Sequence, residues 1–479
     1  MQRKKIKYMD MTDKHIVAID LGTSKIAITV AKVIGNDVQI IYYKETPSAG
    51  IRYSSVYNTM KVTEPLARAI QAAEEELGIK ITQAVVGMPK HPVRQESSTG
   101  EVPDRGEDTY ITADDIALLK KFAQDLYPLQ NKEKEAIYGA VAQSFSDGEN
   151  FQIMEDDIIG MTSDVLEGNF KIFIGKKSDL NKIDQVMNKV GLCASRKYFT
   201  ADSTAKAVLT ESEMENGVAL IDFGGGCTSV SIYHENIMRH YSSIPFGGKN
   251  ITEDIKSEFQ VSETLAENIK LGFGACMPDK LQNLSDKVIH IKSNSAEPDK
   301  QVSVKYLSEI ISARVEEIFM AILYHIHQSG FADMLRSGIV ITGGSAQIAN
   351  LGNFINEISG YRVRTGYPKS LFSCQGCDDI TETSASTSLG LLLAAQNDTS
   401  INCAVHGLPT PAPEVLTEEE DSDETVNDGH IFSKEDMDDM KQAPAPQPKA
   451  TRSCGIKVFW KKINDFCGNL YETVNEENA

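Results

Sequence analysis

Tryptophan is almost missing from this chain of 479 residues: it occurs once, at position 460, and aromatic residues together make up 7%. Cysteine is sparse as well. Eight scattered residues lack the density of a disulfide scaffold and read as free thiols of a reducing compartment. Cys374, Cys377, Cys403 and His406 are zinc-type ligands, but their spacing is loose and a helix is expected between the pairs, so we read unrelated thiols. No stretch approaches the roughly eighteen uninterrupted apolar residues that a spanning helix needs. Arg3, Lys4, Lys5 and Lys7 open the chain, yet no apolar run or small-residue cleavage site follows, which argues against a secretory signal. Positive charge is in deficit, with 48 Lys+Arg against 68 Asp+Glu and a net charge of -20. Binding phosphate backbones needs the opposite sign, so no nucleic-acid partner is expected. Much of the excess lies in one tail, where twelve carboxylates face only Lys434 between Glu414 and Asp439. The length allows two or three domains with sizeable cores.

Three glycine-bearing turns follow apolar runs. They are Ile19-Asp20-Leu21-Gly22-Thr23-Ser24-Lys25, Ile221-Asp222-Phe223-Gly224-Gly225-Gly226-Cys227-Thr228-Ser229, and Ile341-Thr342-Gly343-Gly344-Ser345. The first two repeat one design, in which a buried strand ends in a carboxylate, a tight turn follows, and a second β-rich run begins. Glycines let backbone N–H groups close on phosphate oxygens; Thr23, Ser24, Thr228 and Ser229 add hydroxyl donors; and Asp20 and Asp222 are suited to hold magnesium through water. One such turn is usually only a hairpin. A duplicated pair with a strand-GG-helix turn beyond it predicts a nucleotide cleft.

These turns resemble, in order, the two phosphate hairpins and the adenosine turn of the actin, sugar-kinase and heat-shock-chaperone superfamily. Within it, residues 14–396 and the last twenty or so are similar to the FtsA family of bacterial cell-division proteins, through Pro245-Phe246-Gly247-Gly248-Lys249-Asn250-Ile251 and Ala266-Glu267-Asn268-Ile269-Lys270-Leu271-Gly272. The resemblance implies a two-lobed α/β, actin-like ATPase fold of duplicated ribonuclease-H-like domains, with ATP and Mg2+ as cofactors. It implies that Gly248 and Lys249 lie beside the nucleotide and that Glu267 and Lys270 approach its ribose and base; by spacing alone, such a pair is more often a solvated helix face.

The expected organisation has a first lobe at 14–82, completed by 166–200 and 377–396. A small inserted α/β subdomain covers 83–165, and a second lobe covers 201–376 with a largely helical outer part at 251–329. Helices are expected over 64–77, from the Thr112/Asp115 capping box, and over 178–190. The resemblance adds two connecting helices, at 200–209 and around Ser384-Ala385-Ser386-Thr387-Ser388-Leu389-Gly390. Residues 397–453 are acidic and then Pro/Ala-rich, too poor in apolar side chains to offset ordering, and read as a disordered linker. Over 454–471 a helix would gather Ile456, Phe459, Trp460, Ile463, Phe466 and Leu470 in an arc of about 140°, flanked by Lys457 and Lys462. Bulky aromatic residues with basic flanks suit an anionic headgroup boundary. A partner groove or docking on the body are the rival readings.

The resemblance implies an ATP-dependent, self-associating polymer on the cytoplasmic face of the cell membrane at the division septum, tethering filaments of the tubulin-like FtsZ through its C-terminal peptide and meeting other divisome proteins. Ser229 stands where superfamily hydrolases often place a carboxylate, and Thr200-Ala201-Asp202 where chaperones carry a water-orienting Glu. Binding is therefore expected more firmly than turnover. A sugar kinase, a chaperone and a pilus-assembly relative are the alternatives. The first lacks a sugar-site motif here, the second a substrate domain after the ATPase, and the third is not expected to carry the terminal helix.

Overall fold

A computed structural model describes residues 14–35, 37–102, 109–281, 287–291, 300–369, 372–374 and 377–406. One six-stranded sheet runs in the order Cys193–Tyr198, Gln83–Gly87, Lys14–Leu21, Lys25–Ile34, Asp37–Pro47, Ser373–Cys374. A five-stranded sheet runs Val363–Thr365, Ile339–Thr342, Val218–Phe223, Thr228–His234, Ile237–Ile244. The two share a plan. In each, an antiparallel meander carries a glycine turn at its first corner, and parallel strands flank its first strand: Ile19 pairs with Val86 in one sheet, Asp222 with Thr342 in the other. The strands Lys14–Leu21 and Val218–Phe223 are nearly wholly buried, as two-sided sheets require.

Helices cover both sheets. Thr59–Leu77 starts five residues ahead of the position expected from sequence, because the Asn58 side chain accepts from the amides of Met60 and Lys61; Pro65, inside the helix, falsely resembles a start signal. Gly78, at φ 63°, ends it. On the second sheet lies the 25-residue Val304–Gln328, whose Phe319 ring meets Phe223 edge-on at 5.4 Å; Gly248–Phe259 packs on that helix and on Glu263–Phe273. Full burial of such a side chain contributes roughly 1.5–3 kcal/mol. The outer part of this lobe is not all helical: Val288–Ile291 pairs with Lys300–Ser303 as a short hairpin.

A third sheet, Arg94–Glu101, Glu167–Lys176, Glu135–Ser146, packs against helix Ala113–Asp125 around Ile116, Leu119, Phe145 and Phe170. Thr112 and Asp115 form the capping box there. This unit does not follow the boundaries read from composition. Gln83–Gly87 belongs to the first sheet, whereas the central strand of the small sheet extends to Lys176. The linker start moves too. Residues 398–406 pack on the first lobe: Ala404–His406 pairs with Ile79–Ile81, and the Cys403 amide donates to the His15 carbonyl at 2.7 Å. Backbone pairing with a strand edge and burial of Ile401, Cys403 and Ala404 in the first lobe's core hold this stretch. The rest of the expected linker, and the 454–471 segment with Ile456, Phe459, Trp460, Ile463, Phe466 and Leu470, lie outside the described residues.

Candidate functional site

The two meander corners face each other across the lobes. Leu21 pairs with Ile26 and Phe223 with Thr228, closing turns whose glycines are demanded by close approach. A Cβ on Gly22 would stand 2.6 Å from the Lys25 carbonyl oxygen. On Gly225 it would stand 2.1 Å from Ser24 Oγ, and on Gly226 2.6 Å from Thr23 Cγ2, so the first turn lies directly against the second. None of Gly224, Gly225 and Gly226 has a positive φ; what they provide is room. Gly343 does need its freedom: at φ 95° it brings the third turn against the Phe223 carbonyl and the Asp222 carboxylate.

The third turn and the helical outer part close on the second hairpin. Ser345 Oγ donates to the Gly224 carbonyl at 3.1 Å, while the amides of Gly248 and Lys249 donate to the carbonyls of Gly224 and Gly225 at 2.9 and 2.7 Å. A Cβ on Gly248 would lie 2.3 Å from Ser345 Oγ. Gly344 enters a short 3-10 turn, Gly344–Gln347, instead of opening an α-helix directly; the α-helix follows at Leu351–Ser359. Lys270 donates to the Gly248 carbonyl at 3.0 Å, Thr252 Oγ1 at 2.8 Å and Glu267 Oε2 at 2.8 Å. The Glu267/Lys270 pair is thus a strut into the Gly247-Gly248 turn and not a free solvated face. Burial pulls the Lys270 ammonium below its ordinary range, against the pull of Glu267.

Some residues expected at the site are spoken for. Thr228 Oγ1 donates to the Phe246 carbonyl at 2.7 Å, and Thr23 Oγ1 accepts from the Ser54 amide at 3.0 Å. Lys25 is ion-paired to Glu45, and burial lowers its pKa in spite of that partner. Asp20 and Asp222 sense each other across the cleft: burial pushes the Asp20 carboxyl up, Lys90 opposes this, and the charge of Asp222 adds to it. Lys90 was not anticipated. Its Nζ bonds Asp222 and reaches Thr387 Oγ1 at 3.1 Å, and the attraction of Asp222 and Asp20 overcomes burial to hold the ammonium above the ordinary lysine range. No motif marks it; the only sequence signal is its place just past the carboxyl end of a parallel strand, where α/β sheets gather ligand contacts.

Asp202 turns elsewhere. It pairs with Lys206 at 2.9 Å and lines a cavity of about 550 Å³ between the small sheet and the strands near Tyr233 and Met238. That cavity is separate from the glycine turns, which are in contact with each other. Among the described residues no group of three or more His, Cys, Asp or Glu is placed to hold a metal, and the thiols of the loose zinc pattern fall on different elements: Cys374 beside Ile40, Cys403 against the strand that begins at Lys14.

The duplicated meanders and facing glycine turns define an actin-like ATPase fold. A chain of a PilM–PilN type IV pilus biogenesis complex superposes with a TM-score of 0.55 at 13% identity, covering 80% of this chain and 98% of its own. Sequence narrows the class. The family model for cell division protein FtsA matches residues 219–390. Cell division protein FtsA of Neisseria meningitidis serogroup B is 30% identical over 417 residues, 86% of this chain and 96% of its own; that of Escherichia coli K12 is 25% identical over 387 residues, 79% and 90%. The chain belongs to the FtsA family of cell division proteins.

Proposed function

We propose that the chain binds Mg2+–ATP between its lobes, self-associates as an actin-like filament, and tethers FtsZ filaments to the cytoplasmic face of the cell membrane at the septum. The observation that carries this reading is the meeting of Gly22–Ser24, Gly224–Gly226 and Gly343–Ser345 at one cleft in an FtsA-family chain. The donor set fits the cofactors. Small residues and hydroxyls suit phosphate, the Asp20 and Asp222 carboxylates suit a hydrated magnesium ion, and Glu267 with Lys270 suits the nucleoside end. Bound there, magnesium would supply the positive charge that offsets the Asp20 and Asp222 carboxylates and the phosphates together.

Membrane attachment rests on sequence. Among the described residues no helix is long and apolar enough to cross a membrane, and the proposed anchor is the amphipathic 454–471. Partial insertion of a few side chains gives a modest affinity per chain, which polymerisation multiplies. Residues 407–453, if flexible, span on the order of 40 Å and give the anchor reach. The test is electron microscopy and flotation of anionic vesicles with ATP and FtsZ. Filaments should coat the vesicles, Trp460 emission should shift to the blue, and Trp460→Glu should abolish flotation while ATP binding persists. Undiminished flotation of a chain truncated at Arg452 would reassign the helix to a protein groove.

A further inference from the structure

Lys90 sits between the two carboxylates on which the magnesium reading depends. Its side chain is 14% exposed, bonded to Asp222 of the second lobe and tied to Thr387 of the connecting helix, and its charge also acts on Asp20 of the first lobe against the burial that pushes that carboxyl up. Its backbone is clamped on two sides. The Lys90 amide donates to Ser54 Oγ at 3.2 Å, and Tyr241 Oη donates to the Lys90 carbonyl at 2.6 Å. The ammonium is therefore aimed by neighbours in both lobes. A second cation at the first turn, Lys25, is already ion-paired to Glu45.

We propose that Lys90 is a resident counter-cation of the nucleotide site, neutralising the Asp20–Asp222 pair without metal and yielding Asp222 to magnesium when metal arrives with nucleotide. This rests on the nucleotide reading above. With Lys90 in place Asp222 is already ion-paired, and the same ammonium draws on Asp20. Without it, incoming phosphates meet both carboxylates bare, and repulsion in a low-dielectric cleft is severe. Lys25 also acts on Asp20 but is ion-paired to Glu45, so magnesium is the group suited to replace the charge lost at Asp222. Lys90 therefore acts as a positioning residue whose importance depends on metal, and an ordinary strut between lobes would not have that property.

The test is ATP affinity by calorimetry, in excess Mg2+ and in EDTA. Wild-type chain should bind ATP in EDTA within about tenfold of its affinity with Mg2+, because Lys90 stands in for the metal. In Lys90→Gln the gap should widen to a hundredfold or more, almost entirely through the EDTA value, and Lys90→Arg, which keeps the charge, should restore most of it. Equal losses with and without metal in Lys90→Gln would reduce Lys90 to a strut and overturn the proposal. A wild-type gap already beyond a hundredfold would overturn it without any variant, which covers a Lys90→Gln chain that does not fold. Wild-type chain that fails to bind ATP even with Mg2+ would sink the nucleotide reading itself, a result distinct from either of these.

Discussion

Replacing Gly225 with valine probes the contact on which the site reading turns. A Cβ at this position would stand 2.1 Å from Ser24 Oγ and 3.1 Å from Ser24 Cβ. Rotation of the serine hydroxyl relieves the first clash for about 0.5–1.5 kcal/mol. The second needs a shift of a few tenths of an ångström to reach ordinary carbon contact, which alanine can obtain from small movements of the two turns. Valine cannot be accommodated so cheaply. Its branched methyls extend about 1.5 Å further and have few rotamers, so the turns must part by about an ångström. Phosphate oxygens held by both turns would then lose at least one charge-assisted hydrogen bond, worth roughly 1.5–3 kcal/mol. ATP affinity should fall at least tenfold, about 1.4 kcal/mol, with the alanine variant between it and wild type. Calorimetry with Mg2+–ATP measures this, circular dichroism establishes that the variant is folded, and Gly352→Ala serves as control, since a Cβ there meets nothing closer than 3.9 Å. Unchanged affinity in a folded Gly225→Val chain would remove these glycines from the site.

ATP turnover should be slow, below about one per second, because Ser229 offers no carboxylate and Asp202 is engaged by Lys206 away from the glycine turns; vigorous phosphate release by purified protein, with or without lipid, contradicts this. Acid should loosen the junction between the small sheet and the second lobe, where His91 Nδ1 lies 3.1 Å from Ser243 Oγ and His240 Nδ1 lies 2.7 Å from Gln95 Nε2. Burial pushes both imidazoles down to about 4 from an ordinary 6.5, so below 6.5 the unfolded chain binds protons that the folded chain refuses. Their contribution to stability is full above about pH 6.5 and declines as pH falls toward 4, by about 1–2 kcal/mol per histidine at pH 5. Thermal melts at pH 7.5 and 5 should show a smaller acid loss in the His91→Gln, His240→Gln double variant than in wild type, and equal losses would refute the assignment.

The hairpin corners were legible because their pattern is local: a buried run, a carboxylate, glycines within a few residues, then another β-rich run. The Lys270 strut was only half legible. An i, i+3 acid–base pair looks alike whether it faces water or a glycine turn, and the Gly248 carbonyl that decides the matter is 22 residues away. Lys90 was illegible for a stronger reason. Its partners, Asp222 and Thr387, lie 132 and 297 residues along the chain, and a lysine after Met88-Pro89 carries no local mark of a buried ion pair. Subdomain boundaries failed similarly: composition does not distinguish the strand Glu167–Lys176 of the small sheet from a strand of either lobe, because all are apolar runs of similar length. At residues 398–406 a strand edge of the folded lobe combines with three small or apolar side chains, Ile401, Cys403 and Ala404, too few to stand out in a polar stretch.

The two connecting helices cross beside the glycine turns. Thr200–Val208 and Ser386–Ala395 cross so closely that a Cβ on Gly390 would lie 2.2 Å from the Ser203 carbonyl oxygen. The surfaces around this crossing carry buried hydroxyls in pairs: Thr29 with Ser388 at 2.6 Å, Thr204 with Thr387 at 3.2 Å, and Thr342 with Ser386 at 2.7 Å. Interdigitated leucines would resist a sliding motion, since every shift opens voids. Hydroxyls both donate and accept, so a small rotation can exchange partners without leaving a buried polar group unmet. Thr387 belongs to this set and also contacts Lys90 at 3.1 Å and Asp222 at 3.4 Å. The Lys90–Asp222 ion pair is therefore hydrogen-bonded directly to one of the two crossing helices, with no intervening residue.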